Sequence, residues 1–146
     1  MKSIKTAITI NAPAETIWNI LAHTAAYPTW NPLVVTLNGE LKEGNNIEIH
    51  VSLGKDKPSV FKPRLLVVKK DTELRWIGSL FVKGLFDGEH SFQLEPQADG
   101  SVRFVHEEVF TGMLSSLIFG MIGKDTLAGF NAMNEALKHR AEAMNG

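Results

Sequence analysis

The chain contains no cysteine among its 146 residues, which excludes disulfides, thiolate metal sites and a cysteine nucleophile. It lacks an excess of either charge: 15 Lys and Arg stand against 16 Asp and Glu, a formal net charge of -1. No basic run is present, so the electrostatic footprint of a nucleic-acid or anionic-membrane binder is missing. The most apolar window, residues 109–123, is too short to span a bilayer and is interrupted by Thr111, Ser115 and Ser116. Lys2 and Lys5 precede only a short apolar stretch, broken by Asn11 and followed by Glu15, which is unlike a signal peptide. Also missing are a Gly-x-Ser-x-Gly elbow, a P-loop and a glycine-rich dinucleotide fingerprint. These absences predict a cytoplasmic protein with no nucleic-acid partner, no membrane insertion and no cofactor.

What remains is ordinary for a globular chain, with 44% hydrophobic and 21% charged residues, and the length fits one domain over residues 1–146. Ile4, Thr6, Ile8 and Ile10 alternate with Lys5 and Thr9 and predict a half-buried first strand. Asn11-Ala12-Pro13 ends it, and Ala14, Ile17, Trp18 and Leu21 make a helical stripe behind Pro13. Tyr27-Pro28-Thr29-Trp30-Asn31-Pro32 reads as a rigid aromatic loop, since each proline disfavours the α conformation in the residue before it. Four strands follow: Val34 to Asn38, one around Ile47 to Leu53, a long one from Ser59 to Lys70, and Leu74 to Val82. Gly39, Gly44, Gly54 to Pro58 and Lys70-Asp71 supply the turns. A glycine-punctuated apolar segment from Gly112 to Gly123 then precedes a final helix from about Lys124 to Met144, with Leu127, Phe130, Asn134, Leu137 and Ala141 as its stripe. The absence of βαβ alternation excludes a parallel Rossmann-type sheet. An antiparallel sheet gripping one long helix leaves an apolar gap between them.

The stretch from His90 to Phe110 reads as a hairpin turning at Gln97-Ala98-Asp99-Gly100. One side of it carries His90, Phe92 and Leu94, then Val102, Phe104, His106, Glu108 and Phe110. A register pairing Leu94 with Phe104 sets Phe92 against His106 and His90 against Glu108. Two histidines and a carboxylate then stand on an otherwise apolar inner face, where an unpaired charge is costly. They either form a polar pair that pins the register, orient a ligand, or move a proton. As a metal set they lack the His-Glu-x-x-His helical spacing, and no metal site is expected.

Several motifs resemble those of the START-like, SRPBCC superfamily, the birch-pollen-allergen or helix-grip fold, and within it the bacterial branch of polyketide cyclases and dehydrases. They are Ile10 to Glu15 with Ile17-Trp18, Tyr27 to Pro32, Gly88 to Phe92, His106 to Gly112, and Leu137-Lys138 with Glu142. The resemblance covers nearly the whole chain. It implies an α+β fold: a curved seven-stranded antiparallel sheet around a long C-terminal helix, with two short helices after the first strand. It fixes function less closely, because lipid carriers, cyclases and chaperone activators share the fold.

The leading expectation is binding of a small hydrophobic molecule, a lipid or polyketide-like compound, between sheet and helix. Trp30, Trp76, Phe92, Phe110, Leu117 and Phe130 are the expected apolar contacts, Trp30 as a lip at the mouth or else a plug in the core. His90, His106 and Glu108 are the expected polar contacts and the catalytic candidates. The alternatives are a cyclase- or dehydrase-type enzyme with a cavity histidine as general acid or base, and an interaction module acting through its outer surface. The segment from Met113 to Ile122 is a lid, a packed helical turn, or a homodimer face if exposed.

Overall fold

A computed structural model describes residues 2–54, 57–80 and 84–145. The first alternating stretch forms β1 (Lys2–Ile10), and α1 (Ala14–Ala22) starts directly after it with Pro13 in extended conformation at its N-cap. A 3-10 turn at Thr24–Ala26 leads into a single helical turn, α2 (Tyr27–Trp30). A loop was expected here. Tyr27 takes the α conformation (φ -51, ψ -41) despite the proline after it. Its ring is fully buried, and its hydroxyl donates to the Leu21 carbonyl at 2.6 Å. Pro28 sits in the first turn, where no N–H is needed. Asn31 ends the turn by accepting from the amides of Leu33 and Val34 at 3.0 and 2.9 Å.

The strands are β2 (Val34–Asn38), β3 (Glu48–Val51), β4 (Ser59–Phe61), β5 (Arg64–Lys69), β6 (Glu73–Leu80), β7 (Phe86–Pro96) and β8 (Val102–Thr111). With β1 they make, among the described residues, eight strands in two antiparallel sheets, one ordered β1-β8-β7-β6-β5 and the other β2-β3-β4. This corrects the expectation of one continuous seven-stranded sheet. The cause lies at Lys62-Pro63, which divides the expected strand from Ser59 to Lys70 into β4 and β5. Proline has no N–H to give to a ladder, and the Pro63 carbonyl accepts instead from Ile47 at 2.9 Å. The chain crosses from one sheet to the other at that point. The sheets stay tied through loops: Gly44 donates to the Leu65 carbonyl at 2.9 Å and Leu65 to that of Asn45 at 2.8 Å. Val82, the expected end of β6, and residues 55 and 56 of the Gly54 to Pro58 turn lie outside the described residues.

The C-terminal helix, α3 (Ser115–Asn145), has 31 residues and begins nine residues before the expected Lys124. Gly120 and Gly123 each cost roughly 1 kcal/mol in a helix interior. Ile118, Phe119 and Ile122, packed against the core, outweigh that cost. Gly112 makes the turn into the helix at φ +108. There Met113 and Leu114 donate to the carbonyls of Gly84 and Leu85, at 3.1 and 2.8 Å. The buried stripe of α3 is Thr126, Phe130, Met133, Asn134, Leu137 and Ala141, whereas Leu127, expected within it, is exposed. α3 lies along β1 and also touches β7, β8 and α1. Near its end Lys138 donates to the Thr9 carbonyl at 2.8 Å and pairs with Glu142 at 2.6 Å, while Glu142 accepts from the Asn11 amide at 2.8 Å.

Candidate functional site

The hairpin register decides what faces inward. β7 and β8 pair Leu94 with Phe104, Phe92 with His106 and His90 with Glu108. The turn forms at Gln97 to Gly100, with Gly100 at φ +89. The Asp99 carboxylate accepts from the Ser101 amide and hydroxyl, two bonds that hold it below the usual carboxylate range. Across the large sheet one row reads Ile4, Glu108, His90, Trp76 and Leu65, and the next begins Thr6, His106, Phe92 and Leu74. Cross-strand neighbours on one face touch, so the polar side chains fall together.

They form one hydrogen-bonded chain. Thr6 Oγ1 donates to the His106 carbonyl at 3.3 Å, and having only one proton it must accept from Asn134 Nδ2, 2.8 Å away. That orients the amide, so Asn134 Oδ1 accepts from His106 Nδ1 at 2.9 Å. A neutral His106 then presents a lone pair at Nε2, which accepts from His90 Nε2 at 2.8 Å. His90 Nδ1 stands 3.1 Å from Glu108 Oε1. This last contact holds one proton, as an imidazolium beside a carboxylate or as an imidazole beside a carboxylic acid. Burial first, and the His90 charge second, push the His106 imidazole well below its ordinary value, against an upward pull from the Asn134 hydrogen bond. His106 is also stacked on Phe130, ring centres 3.8 Å apart, and His90 on Trp76 at 5.0 Å. The two Nε2 atoms point at each other rather than at a common centre. Among the described residues no group of three or more His, Asp or Glu is placed to hold a metal ion.

A cavity of about 100 Å³ lies beside this chain, between the two sheets and α3. Leu33, Val34, Ile49, Val51, Leu53 and Phe61 close it from the small sheet and its flanks, and Ile122, Thr126 and Phe130 from the helix. The large sheet contributes Trp76, Gly78, Ser79, Phe86, Gly88, His90, Glu108 and Phe110. The Glu108 side chain is 20% exposed. Its Oε2 rests over Gly88, where a Cβ would collide with it. Glycine at this position therefore makes the room the carboxylate occupies.

Of the residues expected to face a ligand, Trp76, His90, Glu108, Phe110 and Phe130 line this cavity. Four do not. Phe92 and His106 are fully buried behind the wall. Leu117 is 66% exposed, because the helix already runs through that segment and turns it away from the sheet. Trp30 stands edge-on to Tyr27 at 5.5 Å and lines a separate surface groove with Asn19, His23 and Arg140. Leu117 belongs instead to an exposed apolar strip with Met113 and Met121. Sequence reasoning missed the small-sheet wall, Gly88 and Thr126, and gave Asn134 and Thr6 no role. A polar Asn134 amid the helical stripe was the available signal for one of these.

The family model described as "Polyketide cyclase / dehydrase and lipid transport" matches residues 1–142. No curated protein matches the sequence. Among solved structures, a START superfamily protein from Mycobacterium smegmatis superposes with a TM-score of 0.70 at 18% identity, over 97% of this chain and 98% of that one. The Zhui aromatase/cyclase from Streptomyces sp. R1128 gives 0.71 at 13% identity, over 99% and 98%. A hypothetical protein from Helicobacter pylori gives 0.77 at 14% identity, over 96% and 88%. At these identities the likeness is one of fold.

Proposed function

The chain belongs to the polyketide cyclase/dehydrase and lipid transport family, of START-like, SRPBCC fold, and from that premise we propose that it binds a small, largely apolar molecule in the cavity between the two sheets and α3. The observation that carries this reading is a carbon-lined cavity with one carboxylate at its wall, held by a buried hydrogen-bonded chain. Apolar pockets with few, placed polar groups are the usual form of small-molecule sites. The volume of about 100 Å³ limits an enclosed occupant to no more than about one ring, since an engineered apolar cavity of about 150 Å³ takes up a single benzene. A titration of the protein with toluene, followed by methyl NMR, tests the reading. Saturable shifts at Val34, Ile49, Val51 and Ile122 are expected, and an undisturbed set of methyl signals up to the solubility of toluene would sink it.

The His90–Glu108 pair favours a second reading, proton transfer on a carbonyl compound of similar size. Glu108 would take a proton from carbon or oxygen through Oε2, and His90 would hold the carboxylate in place from behind. This reading predicts that the protein accelerates solvent-deuterium exchange into a small β-keto compound above the buffer rate. Glu108→Gln should abolish the acceleration, and an exchange rate equal to that of buffer leaves binding alone.

A further inference from the structure

Resting on the binding reading, we infer that the cavity selects neutral molecules carrying a hydroxyl donor, such as one-ring phenols, and rejects carboxylates, fatty acids among them. The polar inventory of the wall is acceptor-rich. Glu108 Oε1 is engaged by His90 Nδ1, while Oε2 has no hydrogen-bond partner among the described residues and lies over Gly88 at the cavity wall.

The character of Oε2 does not depend on where the shared proton sits. With the proton on His90, both carboxylate oxygens accept. With it on Oε1, Oε2 is the carbonyl oxygen of a carboxylic acid and again accepts. Thr126 is biased the same way, because its hydroxyl proton is given to the Ile122 carbonyl at 2.8 Å and only lone pairs remain. Among the described residues Ser79 is the one wall hydroxyl that can turn either way, and the Trp76 indole N–H is the one lining side-chain group that can only donate.

Charge points in the same direction. Among the described residues no lysine or arginine lines the cavity, and both His90 nitrogens are engaged by Glu108 and His106. A carboxylate ligand would have to leave water, find no cation with an N–H free to donate, and stand beside Glu108. A hydroxyl group finds an acceptor already partly desolvated and held in place by His90, and hydrogen bonds to charged groups are the stronger kind.

Toluene, p-cresol and 4-methylbenzoate share one ring and one methyl group and differ only at the other end, so titrating the wild-type protein with each isolates that end. p-Cresol should bind on the order of 10- to 100-fold more tightly than toluene, the range expected of a charge-assisted hydrogen bond. 4-Methylbenzoate should bind at least roughly 100-fold more weakly than p-cresol, from the cost of an unpaired buried charge. In Glu108→Gln the gap between p-cresol and 4-methylbenzoate should shrink by about 10-fold or more, because an amide can donate as well as accept. Equal binding of all three, or a preference for 4-methylbenzoate, overturns the inference and leaves the cavity a binding site. Absence of binding by all three overturns the binding reading and the inference with it.

Discussion

Replacing Asn134 by Leu tests whether the buried chain is a structural necessity. Leucine shares asparagine's branching and number of side-chain heavy atoms, with bulkier ends, so the change creates no cavity, but it removes both side-chain hydrogen bonds of Asn134, a residue only 2% exposed. His106 Nδ1 then faces carbon. If the ring keeps its proton there, a buried donor is orphaned; if the ring switches tautomer, a buried lone pair is orphaned. Either outcome costs about 1–3 kcal/mol, and the unmet lone pair on Thr6 adds to it. The extra apolar carbon of leucine returns part of this, leaving a net loss of about 2 kcal/mol. For a chain of this length that is a fall in Tm of about 4–8 °C. Urea titration with an unchanged m-value is the assay. Thr6→Val supplies the partner for a double-mutant cycle, in which residues of one network should couple by at least about 0.5 kcal/mol. An Asn134→Leu protein within 0.5 kcal/mol of wild type, or a coupling energy of zero, would show that the chain contributes no stability.

Three further outcomes are expected. Stability should fall on acidification below about pH 6.5, because unfolded His106 takes up a proton near its ordinary value of 6.5 while the folded ring, held well below it, does not; the slope approaches about 1.4 kcal/mol per pH unit until the lowered value is reached. His106→Phe should remove that slope in urea titrations at pH 7 and pH 5, and an identical slope in the variant would assign it elsewhere. Gly112→Ala should lose about 1–3 kcal/mol or more, since φ is +108 and a Cβ would stand 2.5 Å from the Leu85 carbonyl oxygen; unaltered thermal unfolding would contradict the tight turn. Leu117→Asp should stay within about 0.5 kcal/mol of wild type and bind p-cresol equally well, because that side chain is 66% exposed, whereas weakened binding would return Leu117 to the cavity wall.

Alternation made the hairpin legible. A two-residue period with an Asp-Gly turn leaves few registers, and the one that pairs Leu94 with Phe104 is the one that buries every aromatic residue on that face. His90, Glu108 and Phe110 could be placed on one inner face on that ground alone, whereas Trp76 and Phe130 came to them only through the expected sheet wrapped around the long helix. Long-range geometry was less legible. Nothing in the pattern from Ser59 to Lys70 distinguishes a continuous strand from one that changes sheets at Pro63, because the proline's effect depends on what its neighbours need from its backbone. The start of α3 was misjudged because Gly120 and Gly123 weigh against a helix locally, and only the packing of Ile118, Phe119 and Ile122 reverses the balance. Trp30 and Leu117 were assigned to the cavity by hydrophobicity, which says that a side chain has somewhere to go but not which surface receives it.

The buried chain also bears on how the molecule is assembled. Its members come from position 6, from positions 90, 106 and 108, and from position 134, and two of its bonds span 100 and 128 residues of sequence. The hairpin that carries the histidines can form early from local pairing, but His106 has no partner at Nδ1 until the last helix has arrived, and Asn134 has none at Nδ2 until the first strand is in place. Partly folded chains therefore carry polar groups that favour water over closure, and non-local contacts of this kind are the slow ones to make. During synthesis the sheet interior stays wet until α3 has left the ribosome, so a helix made after all the strands determines when the core can dry.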